Sequence, residues 1–205
     1  MTLRPLLPAA LVALLTPAAA LAQAPADDDT VLAAARAAYG GACYGLSADA
    51  AETGAYTEPP QRWQVTVPPD IEGMEPATLV VWQVFCDAGA YNLSYLYWVE
   101  GPYTGLVPLA FPKPVFEVIL ERPDDFESPV REVWPTSWTA TDRLVNASFD
   151  PATLTFSHYG KWRGLGDAFD AGSWMLMQEG VRILSYEVDA SYDDQQTPVT
   201  LFPAP

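Results

Sequence analysis

The chain's only histidine, His158, opens a stretch rich in groups that bind or hold protons: "HYGKWRGLGDAFDAGSW", residues 158–174. Lys161 and Arg163 supply cationic donors and Asp167 a carboxylate, while Gly160, Gly164, Gly166 and Gly172 free the backbone around them. Arg163 and Asp167 stand four residues apart in a loop, where a guanidinium and a carboxylate can close as a charge-assisted pair and fix a turn. Left open, the same loop would offer its amides and Arg163 to an anionic group on a partner. Lys161, Arg163 and Asp167 are therefore the candidate partner-binding residues, and plain closure of the turn is the competing reading.

Other chemistries find little support. A hydrolytic triad needs a base beside its nucleophile, and no Gly-x-Ser-x-Gly elbow accompanies His158. One histidine and two cysteines cannot assemble a zinc site. "GLGDAF" lacks the third glycine of a dinucleotide fingerprint, and no Gly-Lys-Ser/Thr follows it. "DAFDAG" and "DASYDD" do not match the spacing of an EF-hand loop and read as solvated acidic turns. The 26 acids allow many pairings for glycan cleavage, but the sequence selects none. Trp134 and Trp138, which bracket "PTS", suit sugar stacking if exposed, although tryptophans of a β protein more often fill its core. The reading is of no catalytic residue, no metal and no cofactor.

These residues must be positioned by a chain whose ends and totals point outside the cytoplasm. "MTLRPLLPAALVALLTPAAALAQA" reads as a secretory signal peptide over residues 1–22, with Arg4 in its n-region and a short apolar run from Leu6 to Leu15. Cleavage after Ala22 avoids leaving Pro25 close behind the cut, as the next site would. Loss of Arg4 takes the formal charge from −16 to −17. Such a surface repels phosphate backbones and anionic headgroups, so nucleic acid and membrane are excluded as partners of the mature chain. It favours encounter with a cationic protein, and it also keeps an exported chain in solution. Cys43 and Cys86, alone in an oxidising compartment, read as a disulfide.

After a polar leader at residues 23–29, "TVLAAARAAYGG" reads as one N-terminal helix capped by Asp29 or Thr30. From residue 60 the periodicity changes to two, and β-branched and aromatic residues dominate. "ATLVVWQVFC" and "YNLSYLYWV" flank "DAGA" as one hairpin. "RLVNASF" and "LTFSHY" flank "DPAT" as a second, and "GSWMLMQ" and "VRILSYEV" make a third. Twenty prolines fall mostly between such runs, where strands end. The expectation is a single mainly β domain over residues 30–205: an antiparallel sandwich or strongly curved sheet with one N-terminal helix.

"GKWRGLGDA", with "LVNASFDPATLTF" before it and "CDAGAYNLSYLYW" upstream, resembles an uncharacterised family of exported bacterial proteins. That family, a domain of unknown function, is typified by Lys-Gly-Arg-Gly-x-Gly-Asp-Cys after an Asn-x-x-Asp-Pro hairpin. The resemblance covers roughly residues 75–190; Lys161, Arg163, Gly164, Gly166 and Asp167 fall on the motif, while Trp162 replaces its glycine and Ala168 its cysteine. It implies an envelope location and a β-rich fold, and no known reaction. The chain is thus read as a periplasmic or secreted bacterial protein, a non-enzymatic binder of a cationic envelope protein or a wall component. The alternatives are an inhibitor of a cationic, lysozyme-type wall hydrolase and, behind it, a carboxylate-based glycan hydrolase.

Overall fold

The computed structural model describes residues 25–123, 125 and 128–203, so the expected signal peptide lies outside the described residues. Helix α1 spans Asp28–Tyr39. Its cap is Asp27, whose carboxylate accepts the Thr30 amide at 2.9 Å, two residues before the expected Asp29. Asp28 and Asp29 instead occupy the first turn, where a carboxylate is favoured by the free amides of the helix start. A second, short helix that periodicity did not announce, α2 at Ala48–Thr53, is capped by Ser47 and stopped by Gly54 at φ 67°.

Two antiparallel sheets form the body. The first carries β1 (Gln61–Val67), β2 (Ala77–Ala88) and β3 (Leu93–Gly101) side by side. One half of β3 then pairs with β4 (Gly105–Pro108) and the other with β7 (Arg143–Val145). The second holds β8 (Ser148–Asp150), β9 (Thr155–Lys161), β10 (Phe169–Met177), β11 (Gly180–Asp189) and β12 (Val199–Phe202), adjacent in that order. A long separate hairpin joins β5 (Phe111–Leu120) to β6 (Val130–Thr141).

The centre of the first sheet, β2 and β3, is buried on both faces, which explains the nearly unbroken apolar runs in these two strands. Leu79, Val81, Tyr97 and Val99 face the second sheet, where Phe156, Trp174 and Tyr186 meet them. Phe111 sits between the layers, fully buried, with the rings of Tyr97, Phe156 and Trp174 at 5.9, 5.2 and 5.4 Å. Alternate residues of the same strands, Trp82, Val84, Leu96 and Trp98, turn outward under Val31 and Ala35 of α1. The Cys43–Cys86 disulfide is formed and pins the segment after α1 to β2.

Two differences from the sequence reading have clear causes. "RLVNASF" is not one strand: Asn146 adopts φ 42°, and the chain leaves the first sheet after Val145 and enters the second at Ser148. A left-handed residue cannot continue a strand, and asparagine tolerates that conformation better than most side chains. Trp134 and Trp138 also stay out of the core, each about half exposed on β6, because that hairpin lies outside the two main sheets.

Candidate functional site

The turn between β9 and β10, residues 162–168, is locked by its own charges. Arg163 Nε donates to Asp167 Oδ1 at 2.7 Å, and its Nη2 donates to Asp167 Oδ2 and, at 2.8 Å, to Asp194 Oδ1. The Asp194 amide returns a bond to Asp167 Oδ2 at 3.0 Å. The fork bound by Arg163 holds the Asp167 carboxyl well below the usual carboxylate range, and the same pairing raises the Arg163 guanidinium. Tyr192 lies against the guanidinium, 5.3 Å from its ring centroid. Gly166, at φ 73°, makes the turn possible, and its carbonyl accepts the Tyr159 hydroxyl at 2.7 Å and the Gln196 amide at 3.0 Å. Leu165 alone is left standing, 73% exposed at the tip.

Lys161 takes no part in that lock. Its backbone is clamped by Asn92, which donates to its carbonyl at 2.8 Å and accepts its amide at 3.1 Å. Its side chain lies back on the turn, where a Cβ on Gly166 would stand 3.4 Å from Lys161 Cδ and Cε. A separate polar cleft of about 460 Å³ opens beside Lys113 of β5, Arg143 of β7, His158, Trp162 and Asp170. The structure therefore ties Arg163 to Asp167 and lays the Lys161 side chain on the same turn, outside that ion pair.

The floor of the cleft is a buried network centred on Asp170. Its carboxylate accepts Trp162 Nε1 at 3.0 Å, meets His158 Nε2 at 3.0 Å, accepts the Tyr186 hydroxyl, and lies 3.7 Å from Lys113 Nζ. Burial is the strongest influence on this carboxyl and pushes it up. The bonds from His158, Tyr186 and Trp162 together overcome it and hold the group below the usual carboxylate range. Burial first, and then Asp170 itself, drives the Tyr186 hydroxyl far up. Gly160 makes room for the network, since a Cβ there would stand 2.8 Å from Asp170 Oδ1.

His158 Nδ1 accepts the Val145 amide at 2.9 Å, which places the ring proton on Nε2, facing Asp170. Both ring nitrogens are engaged and the side chain is buried, so the histidine offers substrate no free base. Among the described residues, no three His, Cys, Asp or Glu side chains converge to hold a metal ion. No helix among them is long and apolar enough to cross a membrane.

Sequence reasoning found Arg163 and Asp167 because four residues separate them. It missed Asp194, Lys113, Arg143 and Asp170, whose roles arise from strands far apart in the chain and leave no local spacing. Asn146 carried a weak signal, standing between two apolar runs. Its amide group bridges the sheets, accepting the Leu93 amide at 2.9 Å and donating to the Tyr159 carbonyl at 2.9 Å.

No curated protein and no solved structure matches the chain. A family model does match, over residues 8–191, a wider span than the 75–190 read from the motif. On that match, which covers most of its length, the chain belongs to the family described as protein of unknown function, DUF1176.

Proposed function

We propose that this protein is a non-enzymatic binding protein of the cell envelope, exported from the cytoplasm, that meets a cationic protein through its locked turn at residues 162–168. Leu165 carries the reading. It is 73% exposed on a backbone whose charged neighbours are tied to one another. A large apolar side chain presented on an already ordered turn loses little freedom on binding, so its burial is not spent on ordering the loop. Tyr192, partly exposed, and Asp193 and Asp194, both exposed, stand in the segment that braces the turn. An apolar anchor rimmed by carboxylates fits the surface of a basic protein. The formal charge of −16 speeds such an encounter, and the disulfide is at home in an oxidising compartment. The full engagement of His158 and Asp170 supports binding over catalysis.

Charge favours a cationic wall hydrolase of lysozyme type as the partner class. The test is titration of such an enzyme with the mature chain, following glycan cleavage and calorimetric binding at two ionic strengths, with Leu165→Ala beside the wild type. Saturable inhibition that weakens with salt and with the substitution supports the reading. Absence of both inhibition and binding at low salt overturns it for this partner class.

A further inference from the structure

The edge of a sheet is a row of unpaired amides and carbonyls unless the fold blunts it. Among the described residues, every edge strand but one is blunted. β4, β7, β8 and β12 are only three or four residues long. β5 carries Pro112 and Pro114, β6 carries Pro135, and two register shifts interrupt their pairing. β1 has none of these devices. It ends the first sheet with seven residues, contains no proline, and pairs with β2 without a shift. Among the described residues, no backbone group from Arg62 to Thr66 bonds to anything beyond β2. Only the Val67 carbonyl at the strand's end is taken, by the Gln178 side chain at 3.2 Å.

Charge leaves the same edge open to a second copy. Acids outnumber lysine and arginine 26 to 10 along the chain, yet β1 holds no acid, and Arg62 is its one charge. That guanidinium lies over the Trp82 ring of β2, 5.2 Å from its centroid. Laid antiparallel on itself about Gln64, "QRWQVTV" sets Arg62 opposite Thr66 and Trp63 opposite Val65, so no like charges meet. An aromatic residue across from a β-branched one is a favourable antiparallel pair. Trp63 and Val65 already pack on the core, so the join continues its buried face. Gln64 is exposed and meets its own copy on the axis, where one side-chain amide can donate to the other.

We infer that β1 is a dimerisation edge: two copies of this chain pair through it, antiparallel about a two-fold axis at Gln64, and join their first sheets into one. Such an interface is the same patch on both copies, as a closed two-fold dimer requires. It shares no residue with the Leu165 surface and survives failure of the partner reading.

The experiment is sedimentation equilibrium of the mature chain at concentrations from about 5 to 500 µM, at low and at physiological ionic strength. A dimer mass is expected to emerge within that range. Each copy is strongly negative, so added salt should screen their repulsion and strengthen the association. Gln64→Glu and Gln64→Lys each set two like charges face to face on the axis and should weaken dimerisation at least about tenfold. Mixed in equal amounts, the two variants should recover the dimer as a heterodimer, because opposite charges then meet. Ser137→Glu, on the exposed face of β6, should change nothing. A thermal melt confirms that each variant folds. A wild type that stays monomeric, a dimer undiminished in Gln64→Glu, or a mixture that stays monomeric would each overturn the inference.

Discussion

The backbone amide of Val145, in the first sheet, donates to Nδ1 of His158, in the second, at 2.9 Å. One side chain thus completes the ladder of a strand in the other layer and, through Nε2, anchors Asp170 at 3.0 Å. Replacing His158 by alanine strands a backbone donor and removes one partner from a buried carboxylate. The expected cost is about 2–3 kcal/mol, read as a lower urea midpoint with an unchanged slope.

Asp170 gives the fold a defined response to acid. Its carboxyl lies lower in the folded chain than its ordinary value of 3.8, so its contribution is complete above that value and fades as pH falls towards the folded one. The stability gap between wild type and Asp170→Asn should therefore be constant from pH 7 to about 5 and narrow below about 4. Urea titrations at four pH values would show it, and a gap that widens on acidification would refute the assignment.

Gly172 is required by volume. It pairs with His158 on one side and Tyr186 on the other, and a Cβ there would stand 2.5 Å from Trp174 Cη2 and 2.8 Å from Tyr186 Cδ2. Trp174 and Tyr186 are fully buried and cannot withdraw. Gly172→Ala should destabilise by about 1–3 kcal/mol through overpacking, with perturbed near-ultraviolet circular dichroism from the displaced rings.

Reduction of Cys43–Cys86 opens a loop of sequence separation 43. Loop-closure entropy alone sets the loss at about 4 kcal/mol. Chemical denaturation with and without reductant should reveal it, and the double Cys→Ser variant should match the reduced protein.

In the locked turn, Asp167→Asn leaves Arg163 with Asp194 alone and weakens the acceptor of the Asp194 amide. Hydrogen exchange at Gly166 and Asp194 should accelerate, while amides in the centres of β10 and β11 keep their protection. Equal acceleration throughout would show that the turn belongs to the cooperative core instead of bracing itself.

The sequence made the hairpins legible wherever period-two patterning met a short turn, as in β2–β3 and β10–β11. The Arg163–Asp167 pair was legible for a similar reason, since both ends lie within one loop. β6 was missed because Pro135, Ser137 and the threonines around Trp138 read as a break, although an outlying hairpin tolerates all of them. The cleft was invisible because Lys113, Arg143 and Asp170, from three strands, line it only after both sheets form. The cap at Asp27 was missed because three consecutive aspartates offer equal sequence signals, and packing of Val31 and Ala35 sets the register.

The crossing at Asn146 and Ala147 divides the molecule more deeply than a turn would. Every strand of the first sheet precedes it and every strand of the second follows. Cut there, the chain would yield two fragments, each with a complete sheet and one greasy face missing its lid. Neither half buries that face alone, so the pair has the makings of a split protein whose pieces reassemble by covering one another.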